Sequence, residues 1–248
     1  MKMFSNMTTD GLEEAGDRLG PGGLIDTGIY EGTVKLAFAG SAQSSKAQSI
    51  TIHIDINGFE FRETFWVTNR DNENFYVDKK DPNKKHPLPG FQMVDELCLV
   101  TTGYPLTDQD FEEKVVQLYD YEKKKDAPQN VPVLINLLGK PVRVAVVKQV
   151  VDKQKKNDAG VYVNTGETRE ENVADKFFHQ ESLRTVSEIR NGAEEATFHD
   201  AWKTKNAGKT RNRAKGAQGN SGTPGRPGAA AGGTAAAQKP KTSLFGAK

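Results

Sequence analysis

The stretch ITIHIDINGFEFRETFWVT, residues 50–68, decides the fold. Ile50, Ile52, Ile54 and Ile56 alternate with Thr51, His53 and Asp55, the period of two that gives a strand one buried face. Asn57-Gly58 follows, a pair suited to the positive φ of a tight hairpin. On the returning strand Phe59, Phe61, Phe65 and Val67 share one face, and Glu60, Arg62, Thr64 and Trp66 share the other. Upstream, Tyr30, Val34, Leu36 and Phe38 alternate with Glu31, Thr33, Lys35 and Ala37. A three-stranded meander is therefore predicted, its first two strands joined by the small, polar segment 40–49.

Downstream, residues 69–90 form a long polar insertion in which Pro82, Pro87 and Pro89 prevent a regular helix. Phe91 to Thr102 places Phe91, Val94, Leu97 and Cys98 on one helical stripe. Residues 107–125 mix charges with Phe111, Val115, Val116, Leu118 and Tyr119 and read as partly helical. Residues 131–138 read as a short apolar helix that Gly139 ends. A β-branched run at 141–151 gives a fourth strand, 152–160 a basic loop, and 161–165 a fifth strand. An extended piece at 174–179, a helix at 182–190 and an anchor of Phe198 and Trp202 close the domain. Three strands, a helical insertion and two strands match the order of a closed five-stranded barrel, the oligonucleotide/oligosaccharide-binding (OB) fold. The expected class is mainly β with short helices, over residues 24–202. Residues 1–23, with Gly-Pro-Gly-Gly at 20–23, are expected to be a flexible arm. Residues 203–248 lack core residues before Leu244-Phe245 and are expected to be a disordered tail.

The 248 residues carry 34 Lys+Arg and 33 Asp+Glu, a formal net charge of +1. That balance hides a split. Ten basic and no acidic residues lie at 203–248, which leaves residues 1–202 at −9. A basic Gly/Ala-rich tail points to a polyanion partner, and an acidic body confines any nucleic-acid site there to a local groove. The single cysteine, Cys98, excludes an internal disulfide and a cysteine-based zinc site. No apolar run approaches the roughly 18 residues of a membrane span, and the N-terminus lacks the apolar core of a signal peptide. A soluble protein of a reducing cytoplasm is expected.

No catalytic constellation emerges, and no cofactor is called for. Gly139-Lys140 runs into Pro141 without the upstream glycine or the Ser/Thr of a phosphate loop. His53, His86, His179 and His199 have no metal-ligand spacing, so no metal site is expected. Nucleic-acid binding has more support, because single strands are held by cationic grooves with aromatic stacking faces. Trp66 beside Arg62, away from the phenylalanine face, has the makings of a stacking platform; the plainer alternative is a tryptophan covered by the insertion. Asn69, Arg70, Tyr76, Lys79, Lys80, Lys84 and Lys85 interleave cations with aromatics in a loop able to clamp a strand; the alternative is a solvated loop tip. Loops one–two and four–five flank the ligand in OB-folds, which adds Lys46, Lys153, Lys155, Lys156 and the stacking candidate Tyr162. Arg143 and Lys148 on strand four complete the candidates.

Several runs then become familiar in their order: G-I-Y-E-G-T-V at 28–34, T-N-R-D at 68–71, L-P-G-F at 88–91, L-L-G-K at 137–140, G-V-Y at 160–162 and K-F-F at 176–178. Over residues 25–202 the chain resembles the single-stranded DNA-binding proteins of tailed bacteriophages, nearest to podophages that package their own RNA polymerase. The resemblance implies an OB-fold and sequence-independent binding of single-stranded DNA without enzyme activity. It also implies a role in phage replication and recombination, in the cytoplasm of the infected bacterial host. In those proteins the C-terminus is implicated in transcription, through contacts with host or phage polymerase. This places partner docking on Leu244, Phe245 and Lys248 here. The alternatives are an RNA-binding or strand-annealing module and a polymerase-recruiting tether.

Overall fold

The computed structural model describes residues 23–42, 44–120, 123–157 and 161–215. In chain order the strands are β1 (Gly28–Ser41), β2 (Gln48–Ile56), β3 (Phe59–Trp66), β4 (Phe75–Val77) and β5 (Lys85–Pro87), then helix α1 (Pro89–Thr102). There follow β6 (Phe111–Asp120), β7 (Lys125–Leu134), β8 (Pro141–Lys156), β9 (Tyr162–Phe178), α2 (Val186–Arg190), α3 (Thr197–Asn206) and β10 (Arg211–Asn212).

The meander forms as its pattern dictates. Asn57 and Gly58 take φ of 52° and 86°, and the Gly58 N–H donates to the Asp55 carboxylate at 2.7 Å. β2 and β3 pair without a break from Ile56–Phe59 to Ser49–Trp66. β1 departs from strict alternation, because a bulge between Val34 and Leu36 inserts one residue. Val34 and Ala37 consequently point into the core, and Leu36 and Phe38 point to the opposite face. The single face expected for Val34, Leu36 and Phe38 is thereby corrected.

The main sheet runs β3-β2-β1-β8-β9, and the β6–β7 hairpin joins it where Val133 pairs with Phe38. No backbone ladder connects β3 to β9, so this sheet is not closed into the expected barrel. Two features occupy the gap. The Ala174 N–H donates to the Glu63 carboxylate at 2.6 Å, and α1 packs against both strands. Val94 and Leu97 of α1 join Phe61, Phe65 and Phe177 in the main core. Gly90, in the first turn of α1, lies against the backbone of Trp66 so closely that a Cβ there would meet that carbonyl group.

The connecting region is not the helical insertion expected. α1 is helical, but 107–125 and 131–138 supply a 3₁₀ turn at Leu106–Asp108, the β6–β7 hairpin and a second 3₁₀ turn at Ile135–Leu137. Phe111, Val115 and Tyr119 are spaced by four, which fits a helical stripe and also one face of a strand. Val116 and Leu118, on the other face, pack with Phe38 and Val133 in a cluster of their own. The insertion 69–90 contains the small β4–β5 sheet. Segments 161–165 and 174–179 are two ends of one strand, β9, which pairs with β8 as a long arm.

The ordered chain also runs past Trp202. Buried Trp202 lies on α3 and donates its indole N–H to Asp175 at 2.8 Å. Arg211 pairs with the same carboxylate at 3.1 Å. β10 pairs in parallel with Gln149 and Val150 of β8, and the Lys215 N–H donates to Asp152 at 3.0 Å. The expected disordered tail from 203 is thus corrected: residues 203–215 belong to the fold. The arm at 1–22, the remaining tail and the docking residues Leu244, Phe245 and Lys248 lie outside the described residues. Truncation after Trp202 should remove β10 and the end of α3. We expect a loss of at least about 1 kcal/mol, or about 2–4 °C in melting temperature by calorimetry.

Candidate nucleic-acid interface

Alternation places Phe61 and Phe65 of β3 in the core and turns Arg62, Thr64 and Trp66 outward. Trp66 is 50% exposed, so neither the insertion nor α1 covers it. Arg62 makes no ion pair among the described residues. Beside them, the hydroxyls of Thr51 on β2 and Thr64 on β3 lie 2.8 Å apart. His53 pairs across the ladder with Arg62 and contacts the Glu60 carboxylate through Nδ1. This gives an outward face with one large aromatic plane, one free guanidinium and small hydroxyls between.

His53 is buried against Phe38, with ring centroids 6.0 Å apart. Burial pushes its pKa below the ordinary value; the bond to Glu60 opposes the shift and Arg62 adds to it. The folded protein therefore binds fewer protons at this site than the unfolded chain. Stability should fall as pH drops below the unfolded value of about 6.5. The fall should continue until the folded imidazole itself protonates. His179 is shifted the same way, mainly by burial. His53→Gln should show a smaller drop in melting temperature than the parent between about pH 7.5 and about pH 5.

Two further groups of cations and aromatics lie on other elements. At the β4–β5 tip, Tyr76 stacks on His86 with centroids 5.3 Å apart, and His86 bonds Asp78 at 2.9 Å. Asp78 also accepts from the Lys80 N–H, and these bonds hold its carboxyl below the ordinary range. Tyr76, Lys79, Lys80 and His86 line a cleft here of about 570 Å³. Lys85 lies 4.0 Å from the Phe75 ring centroid, and Lys84 is exposed. On the β8–β9 arm, Lys156 lies over Tyr162 at 5.4 Å, with Lys155 exposed beside them.

The sequence candidates separate into free and engaged groups. Lys46, Arg62, Arg70, Lys79, Lys80, Lys84 and Lys155 are exposed and carry no ion pair among the described residues. Arg143 instead pairs with Glu31 and donates to the Gln180 carbonyl. Lys148 pairs with Glu170 and Lys153 with Glu167. The Asn69 amide is spent on its own turn, accepting from the Asp71 and Glu73 N–H groups. Trp66 adjoins the end of β1 that pairs with β2, whereas the β8–β9 arm leaves past the other end, at Gly28. The two groups therefore lie at opposite ends of a 14-residue strand, roughly 40 Å if fully extended.

Sequence reading missed a second cleft, of about 320 Å³, between the start of β2, the segment after β3 and the start of α1. Its polar rim includes Gln48, Asn72 and Asn74. Gln48 and the Asn72/Asn74 pair come from separate parts of the chain, and no spacing signal joins them. Among the described residues no three His, Cys, Asp or Glu side chains converge as a metal site requires. Cys98 is buried, and desolvation followed by Asp95 pushes its thiol pKa upward. No described helix is long and apolar enough to cross a membrane. No protein-family model and no curated protein matches the chain.

Proposed function

We propose that this protein binds single-stranded DNA without sequence preference, through an OB-like face formed by β2 and β3. The observation that carries the reading is Trp66, half exposed beside the unpaired Arg62 on an ordered strand. A flat aromatic on a rigid element stacks any base, and stacking of that kind discriminates little between sequences. The strand order β3-β2-β1-β8-β9 is that of an OB barrel, which adds support. Lys46 and Arg70 would neutralise phosphates near Trp66, and the β4–β5 and β8–β9 cations would extend the contact. The residues engaged in ion pairs, Arg143 and Lys153, are assigned structural work. The proposed setting is phage replication and recombination, with the tail tip at Leu244-Phe245 docking a polymerase. No catalytic activity is proposed.

A gel-shift series with oligo-dT, oligo-rU and duplex DNA tests this. Oligo-dT should bind most tightly. Its affinity should fall linearly in log–log terms with salt, by about 0.7 per phosphate neutralised. Preference for oligo-rU would reassign the face to RNA. Equal or tighter duplex binding would sink the reading.

A further inference from the structure

We propose that the cleft between β2, the segment after β3 and α1 receives an unpaired nucleobase. This inference rests on the single-strand reading and adds a second point of base contact to it. Ile50, Phe91 and Leu106 contribute apolar walls, and Phe111, 43% exposed at the start of β6, stands at the opening. The lining carries no ionisable side chain, so neither a phosphate nor a metal ion finds a charged partner within it. It does carry the side-chain amides of Gln48, Asn72 and Asn74. None of these has a hydrogen-bond partner among the described residues. Each amide offers both a donor and an acceptor. Apolar walls with free amides at the rim suit a flat, neutral heteroaromatic whose edge has both kinds of group. An unpaired base has that edge, and a paired one has spent it.

Size and position agree. At about 320 Å³ the cleft is at the small end of ligand sites, about 300–1,000 Å³. It admits one unpaired base and excludes a duplex. Ser49, on its wall, is the ladder partner of Trp66, so the cleft lies at the Trp66 end of the β2–β3 ladder. Lys46 precedes Gln48 by two residues, and Arg70 lies between Thr68 and Asn72. Each can hold a phosphate flanking the buried base while its charge stays outside the neutral cleft. The amide rim also adds to the preference for single strands over duplex that stacking on Trp66 gives.

The test uses the full chain and two labelled strands, oligo-dT and the same backbone with abasic sites, read by anisotropy. The variant is Asn72→Gly with Asn74→Ala, glycine being chosen because Asn72 holds φ of 66°. Thr107→Phe, which fills the cleft from another wall, is the second variant. Both should lose about tenfold on oligo-dT, the scale of one hydrogen-bonded, stacked base, and nothing on the abasic strand. Equal losses on both strands, or none on either, would overturn the cleft while leaving the single-strand reading intact. Titration with free thymidine, followed by amide NMR, separates the two proposals. If the parent binds neither strand, the single-strand reading fails. Shifts at Gln48, Asn72 and Asn74 would then still establish the cleft, and their absence would refute it.

Discussion

Trp66→Ala should weaken oligo-dT binding roughly 5- to 150-fold, the equivalent of about 1–3 kcal/mol for a lost stacked base. The melting temperature should stay close to that of the parent. Both expectations come from one arrangement. Trp66 is on the outward side of β3, half exposed, with no indole hydrogen bond among the described residues. Its removal opens no core cavity, and surface changes of this kind usually shift stability by less than about 0.5 kcal/mol. Trp66→Phe keeps a smaller aromatic plane and should recover part of the loss. Anisotropy with a labelled oligonucleotide reads the affinity independently of tryptophan fluorescence. An unchanged Kd for Trp66→Ala would remove this side chain as a platform and leave the loop cations as the main contact.

Gly90→Ala should act on the same strand from its other side, through stability. A Cβ at Gly90 would collide with the Trp66 carbonyl oxygen, with the carbonyl carbon at 2.8 Å and the nitrogen at 3.0 Å. The obstruction is backbone, paired in the β2–β3 ladder, and has no flexible end to swing away. Either α1 lifts from the sheet or β3 shifts beneath it. Overpacking costs typically 1–3 kcal/mol, and the close approach places this substitution at the upper end. The melting temperature should fall by about 6–12 °C. The double variant Trp66→Ala, Gly90→Ala should melt no higher than Gly90→Ala alone, because the clash involves Trp66's main chain. Recovery of stability in the double variant would place the conflict at the indole instead.

The parts of the fold legible in the sequence were those fixed by local alternation and turn chemistry. Residues 50–68 show both, and β2, the Asn57-Gly58 turn and β3 follow. Where two periods coincide, the pattern misleads. Phe111, Val115 and Tyr119 satisfy helix and strand alike, and only the packing of Val116 and Leu118 on Phe38 selects the hairpin. The bulge after Val34 is equally hidden, because it depends on the partner strand's register. Runs that supported the phage resemblance carry structural work. Gly90 of L-P-G-F accommodates the Trp66 backbone, Asn69 of T-N-R-D ties its turn, and the phenylalanines of K-F-F enter two different cores. Of the candidate site, Trp66 and Arg62 were legible because strand alternation alone turns them outward. That Arg143 and Lys153 are already paired was not, since their partners Glu31 and Glu167 are set by β8's neighbours. The amide cleft was invisible for the same reason.

The short parallel pairing of β10 with β8 fixes an origin. Through Arg213 on Val150 and Lys215 on Asp152, the chain is moored at the root of the β8–β9 arm. The chain therefore leaves the described fold beside the β8–β9 arm and not beside Trp66.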